Sequence, residues 1–205
     1  MKKTIKNTIE DTIEKTISKV AESFDKDELA YLALTSKVES PVQDKWAFLL
    51  HKELFPKYLV AREWKRVDIA ILDGKTPKAL IELSAMYTCD AFLSYSNEII
   101  KKLKRDEKNA EKLFPECKNI YTVLLMTHPY SHFPKKLTPL KYEPIVNAAY
   151  NKGKMRENIE PTEAKEEMDK RLNRKSIIKT GELKSGVAFD IKTSIFYWII
   201  KAKRQ

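Results

Sequence analysis

The chain is poor in cysteine and glycine and has no long apolar run. Each shortage excludes a class of protein. Cys89 and Cys117 are the only cysteines in 205 residues. Two lone thiols build no disulfide framework and lack metal-ligand spacing. They fit a reducing cytoplasm. Glycine occurs four times, at Gly74, Gly153, Gly181 and Gly186. No glycine-rich phosphate loop can be assembled from those positions, which argues against P-loop and Rossmann nucleotide chemistry. Apolar blocks such as Ile195–Ile200 fall far short of the roughly 18–20 residues that span a bilayer. The first residues carry a charge every few positions and show no apolar segment of a secretory leader. No Ser-His-Asp or Cys-His arrangement is suggested either.

What remains is an ordinary folded composition, 42% hydrophobic and 33% charged. That is enough chain for one domain with its own core. Net charge is +10, and it is unevenly placed. Residues 1–100 hold 15 Lys/Arg against 16 Asp/Glu, and residues 101–205 hold 24 against 13. A basic half suggests an anionic partner, most often nucleic acid. Lysine far outnumbers arginine, and an AT-rich coding sequence yields the same bias with no function behind it.

The segment from Thr4 to Lys19 repeats every four residues, as TIKN-TIED-TIEK-TISK. Ile5, Ile9, Ile13 and Ile17 make one helical apolar stripe, extended by Val20, Ala21 and Phe24. The stripe suits docking on its own domain, or a homodimer or partner-subunit contact. A short helix is expected over 25–36. A stronger one opens at Ser40 as N-cap with Pro41 first in the helix, and ends near Pro56. Strands follow at 58–64, 67–72 and 79–86, then a helix over about 91–113 and a fourth strand at 119–127. The stretch 128–141 is expected as a loop and 142–150 as a short helix. A polar helix (161–175) and one strand-like segment (186–200) close the chain. This order predicts an α/β fold, with a mixed central β-sheet flanked by helices. Residues 1–36 form a helical extension, 37–150 the core and 151–205 the completing helix and strand.

The hairpin 67–86 carries the chemistry. A five-residue turn at 73–77 makes it symmetric about Lys75, so Asp68 faces Glu82 across the strands. Asp68, Ala70 and Leu72 share one face with Leu80, Glu82 and Ser84. Opposed Cβ atoms lie about 4.5–5.5 Å apart, so the two carboxylates repel. The pair can share a divalent cation, share a proton, or stay solvated at a sheet edge. Hard oxygen ligands at this spacing suit Mg²⁺.

The order helix–strand–strand–strand–helix–strand resembles the PD-(D/E)XK, or restriction-endonuclease-like, superfamily with its αβββαβ core. The resemblance is carried by Val67-Asp68-Ile69-Ala70 and Leu80-Ile81-Glu82-Leu83-Ser84, with Val38–Asp44 similar to that family's first helix. It covers roughly residues 37–130. It implies Mg²⁺- or Mn²⁺-dependent hydrolysis of DNA, of the prokaryotic restriction or defence type. Asp68, Glu82 and the Leu83 carbonyl would hold the metal. Glu39 would be a third carboxylate, with Asp44 or Glu53 as substitutes. The chain departs from the pattern at Ser84, where the family has lysine. Lys101 or Lys102, on the following helix, would replace it. Without a replacement the fold would be an inactive module that binds nucleic acid or a protein partner.

Lys65 and Arg66, in the turn before Asp68, are candidate phosphate contacts. Lys135 and Lys136 lie in a loop that mixes lysines with aromatics, as nucleic-acid surfaces do. His128 and His132 read as surface loop residues and His51 as structural.

Overall fold

The structure is a computed structural model that describes residues 8–134, 140–172 and 176–203. Its centre is a six-stranded mixed sheet with strand order β1-β2-β3-β4-β6-β5. The strands are β1 (Leu59–Trp64), β2 (Val67–Asp73), β3 (Thr76–Tyr87), β4 (Ile120–Pro129), β5 (Ile177–Ala188) and β6 (Ile191–Lys201). The β3–β4 pair is parallel, and every other neighbouring pair is antiparallel. A parallel pair needs a crossover. Here α4 (Tyr95–Leu113) provides it, after a single 3-10 turn at Thr88–Phe92.

Three helices cover one face: α1 (Ile9–Ile17), α2 (Glu28–Thr35) and α3 (Glu39–Leu54). Ile13, Ile17, Trp46 and Leu50 pack there against Ile69, Ile81, Val123 and Ile199. The four-residue repeat thus places Ile13 and Ile17 in the protein's own core. The flanking Thr12 and Thr16 are buried too, and their hydroxyls donate to the carbonyls of Thr8 (3.0 Å) and Thr12 (2.7 Å). Thr16 Oγ1 also accepts from the Trp46 indole at 2.8 Å, so the polar atoms cost little to bury. A reciprocal cap between Thr8 and Asp11 starts α1. Ile5 lies outside the described residues.

The opposite face holds α4 and α6 (Thr162–Arg171), where Ile99, Leu103, Ala164 and Met168 pack on Leu124, Phe196 and Trp198. α5 (Glu143–Asn151) closes a smaller cluster with Tyr87, Phe133 and Ile191. Among the described residues no helix is long and apolar enough to cross a membrane.

Three expectations are corrected. The helix anticipated from Ser40 begins at Glu39, with Val38 before it. Pro41 is tolerated because first-turn N–H groups have no helical partner in any case. The single strand expected over 186–200 is the hairpin β5–β6, turning at Phe189 and Asp190 with φ of 54° and 60°. Finally, β4 continues through His128, which is buried rather than in a surface loop. Its nitrogens meet Thr88 Oγ1 and the Ile159 carbonyl, both at 3.1 Å. Burial pulls its pKa down to about 4, so the ring is neutral.

Candidate active site

The β2–β3 register pairs Ile69 with Ile81, Ala70 with Leu80 and Ile71 with Ala79. One step further sets Asp68 against Glu82. Nearer the turn a bulge at Ile71/Leu72 shifts the pairing, so β3 begins at Thr76 rather than at Ala79. β2 begins at Val67, whereas β3 runs on to Tyr87. The backbone ladder between them stops at Ile69–Ile81, so beyond Glu82 the N–H groups of β3 on that edge need other acceptors. Carboxylates supply them. Asp68 Oδ2 accepts from Leu83 N at 2.6 Å, and Glu39 Oε1 accepts from Ala85 N at 2.7 Å. The acids are thus fixed by backbone at the point where the two strands part.

Lys102 reaches the same point from α4. Its Nζ donates to Ser84 Oγ (2.8 Å), to the Leu83 carbonyl (3.2 Å) and to Glu39 Oε1 (3.4 Å). Lys101 faces solvent and pairs with Glu98 at 2.8 Å. Of the two lysines expected near Ser84, only Lys102 is there. The rotation between successive helical residues, about 100°, separates them. The substitutes considered for Glu39 are elsewhere. Asp44 pairs with Arg62, and Glu53 with Lys15.

Sequence reasoning missed four further groups. Gln43, one turn after Glu39, donates to Glu63 Oε1 (2.8 Å) and to the Asp68 carbonyl (2.7 Å). Asp106 lies 3.9 Å from Lys102, one turn along α4. Glu63 and Lys112 complete the walls. For Gln43 and Asp106 the signal was helical spacing: Glu39 and Gln43 are four apart, as are Lys102 and Asp106. Together these residues line a cleft of about 470 Å³ that also includes Arg66. The Lys65-Arg66 turn is left-handed at both positions, with φ of 50° and 73°. Such backbone costs roughly 1–2 kcal/mol per residue, and here it brings Arg66 to the cleft. Lys65 instead lies over Trp64, 4.7 Å from the ring centroid, and does not line the cleft. Lys135 and Lys136 lie outside the described residues.

The electrostatics are those of crowded acids. Burial, then the charges of Asp68 and Asp106, pushes the Glu82 carboxyl up to about 8. Burial also raises Asp68, against the Leu83 N–H that lowers it. At neutral pH without a cation the pair therefore retains a proton. Among the described residues, no three His, Cys, Asp or Glu side chains form a ready metal cage. Asp68 and Glu82 are two carboxylates, and the Leu83 carbonyl is a third oxygen beside them. Mg²⁺ is commonly held by one or two carboxylates, with water and phosphate filling the remaining positions. The donor set fits that mode and not an all-protein cage.

Comparison with protein-family models, with curated proteins and with solved structures returned no match.

Proposed function

We propose that the cleft is the active site of a Mg²⁺- or Mn²⁺-dependent nuclease of the PD-(D/E)XK kind. It hydrolyses phosphodiester bonds of DNA, in a restriction or defence role. The observation that carries this reading is one constellation: the Asp68–Glu82 pair, the Leu83 carbonyl and Lys102 gathered where β2 and β3 part. Crowded carboxylates are costly unless something cationic repays them.

In this reading Asp68, Glu82 and the Leu83 carbonyl would hold the metal, which would supply Lewis-acid stabilisation of the phosphate and a more acidic water. Lys102 takes the place of the lysine that the family has at position 84. Its ammonium orients the attacking water and offsets charge building on the phosphate. Ser84 positions that ammonium by accepting its hydrogen bond. Glu39 holds the β3 edge through Ala85 and keeps its carboxylate beside Lys102. Arg66 and Lys112 draw the DNA backbone into an otherwise acidic cleft.

A second reading rests on Ser84 itself: a nuclease fold without its own motif lysine serves as a binding module for nucleic acid or a protein partner. Incubation of single-stranded DNA and of supercoiled and linear duplex with Mg²⁺, Mn²⁺ or EDTA separates the two. Metal-dependent cutting that is lost in Asp68→Ala supports the nuclease. No cutting in either metal supports the module.

A further inference from the structure

Beside the cleft, along the same strand, lies a second cavity with a different character. It holds about 230 Å³ and is mostly apolar, walled by Val38, Met86, Leu93, Tyr95, Tyr142 and Ile145. Among the described residues, Leu93, Tyr95, Tyr142 and Ile145 are large apolar side chains left exposed, at 47, 39, 37 and 43%. Exposed aromatic and aliphatic groups gathered around one hollow mark a binding surface rather than core. Two charged residues also line it. Lys37 donates to the Tyr95 hydroxyl at 3.3 Å, and Asp90 accepts from Tyr87 N at 2.8 Å through one carboxylate oxygen.

Three features identify the occupant. First, the cavity and the cleft adjoin. Ala85 lines the cavity, while its N–H is held by Glu39 of the cleft, and Val38 directly precedes Glu39. Leu83, in the cleft, and Ala85 are two residues apart on a strand, which is about 6.6–6.8 Å. One extended nucleotide bridges such a step. Second, tyrosine faces bind any base by stacking, and every base has a face to offer. Third, Lys37 supplies a cation for a backbone phosphate, and the second oxygen of Asp90 is an acceptor for a base N–H. A base inside an intact duplex enters only when it is flipped out of the stack, a cost that an unpaired base does not carry.

We infer that this cavity binds one unpaired nucleobase of the DNA strand next to the phosphate in the cleft. The substrate is therefore single-stranded DNA, or a frayed or flapped end, rather than uninterrupted duplex. The inference rests on the nuclease reading of the cleft and adds its substrate class. A lone charged or aliphatic partner would use only one wall of the cavity. A base with its phosphate uses the aromatic faces, the cation and the acceptor together.

The test is binding of a fluorescent single-stranded oligodeoxynucleotide to the full-length protein in Ca²⁺, read by anisotropy. A series carries one abasic residue at each successive position. The wild type is expected to lose roughly tenfold in affinity at one position of the series. Tyr142→Ala should bind the intact strand roughly tenfold more weakly and be indifferent to the abasic residue at that position. Tyr142→Phe should behave as wild type, and Tyr95→Ala, on the facing helix, should repeat the alanine result if Tyr142→Ala folds poorly. Uniform affinity across the series, or equal weakening of intact and abasic strands by both alanine variants, overturns the inference. Cutting of closed duplex as fast as single strand also overturns it, while leaving the nuclease reading intact. Position-dependent binding without Asp68-dependent cutting does the reverse: it keeps the base pocket and removes the nuclease.

Discussion

Replacing Glu82 by glutamine probes the acid pair directly. In the folded protein the Glu82 carboxyl is raised from 4.5 to about 8, first by burial and then by Asp68 and Asp106. The unfolded chain gives up that proton near 4.5, so between these values the folded state binds one proton more. The group's contribution to stability is complete below 4.5 and is lost as pH rises through about 8. One proton corresponds to a slope of about 1.4 kcal/mol per pH unit. Between about pH 6.5 and 8 the ceiling is then about 2 kcal/mol, and solvent at the mouth of the cleft brings it nearer 1 kcal/mol. His128 acts in the opposite sense. Its lowered pKa gives stability that is present above 6.5 and lost as pH falls toward about 4, so it gains only about 0.4 kcal/mol across this window, equally in wild type and variant. The assay is urea unfolding in EDTA at the two ends of the window, for wild type and Glu82→Gln. Wild type should lose on the order of 1–2 kcal/mol and the variant less than half of that. Added Mg²⁺ should restore stability at the alkaline end, because the cation competes with the proton. Equal losses in wild type and variant would refute the assignment of a shared, displaceable proton to this pair.

Other consequences follow from the same structure. Ile17→Ala, in the fully buried stripe of α1, should cost about 2–5 kcal/mol in denaturant unfolding, because α1 is core and not an appendage. Arg66→Ala should weaken DNA binding across sequences and reduce the slope of log affinity against log salt by about one. Arg105→Ala, which changes a solvent-facing α4 residue whose side chain is 68% exposed, should leave stability within about 0.5 kcal/mol of wild type.

The acid hairpin was legible because two independent periods agreed. Alternation along the strands and symmetry about Lys75 gave the pairing seen at Ile69–Ile81 through Ile71–Ala79. The bulge beside Leu72 was not legible, since it moves the pairing to Leu72–Pro77 without changing the apolar pattern. Lys102 could be narrowed only to one of two residues until the phase of α4 was known. The stripe Ile99, Leu103 and Ala110 carries that phase, and it sets Lys102 and Asp106 on the cleft side. β5 was hidden by composition. It is an edge strand with exposed and half-buried positions interleaved, so it lacks the apolar block that marks β6. The turn between them offers Phe189-Asp190 in place of the Asn-Gly or Asp-Gly that signals a hairpin. His128 falls in the expected loop because Pro129 follows it, yet Pro129 sits at the last strand position, where a missing N–H is harmless.

The most direct test of the site is single-turnover DNA cleavage in saturating Mn²⁺ by four proteins: wild type, Asp68→Ala, Lys102→Ala and Lys101→Ala. The account predicts no detectable cutting by Asp68→Ala. It predicts a fall of roughly 10²–10³ for Lys102→Ala, the size expected when a charge-stabilising donor is removed, and less than a twofold change for Lys101→Ala. Cleavage by Lys102→Ala at the wild-type rate, or an equal loss in the two lysine variants, would contradict it.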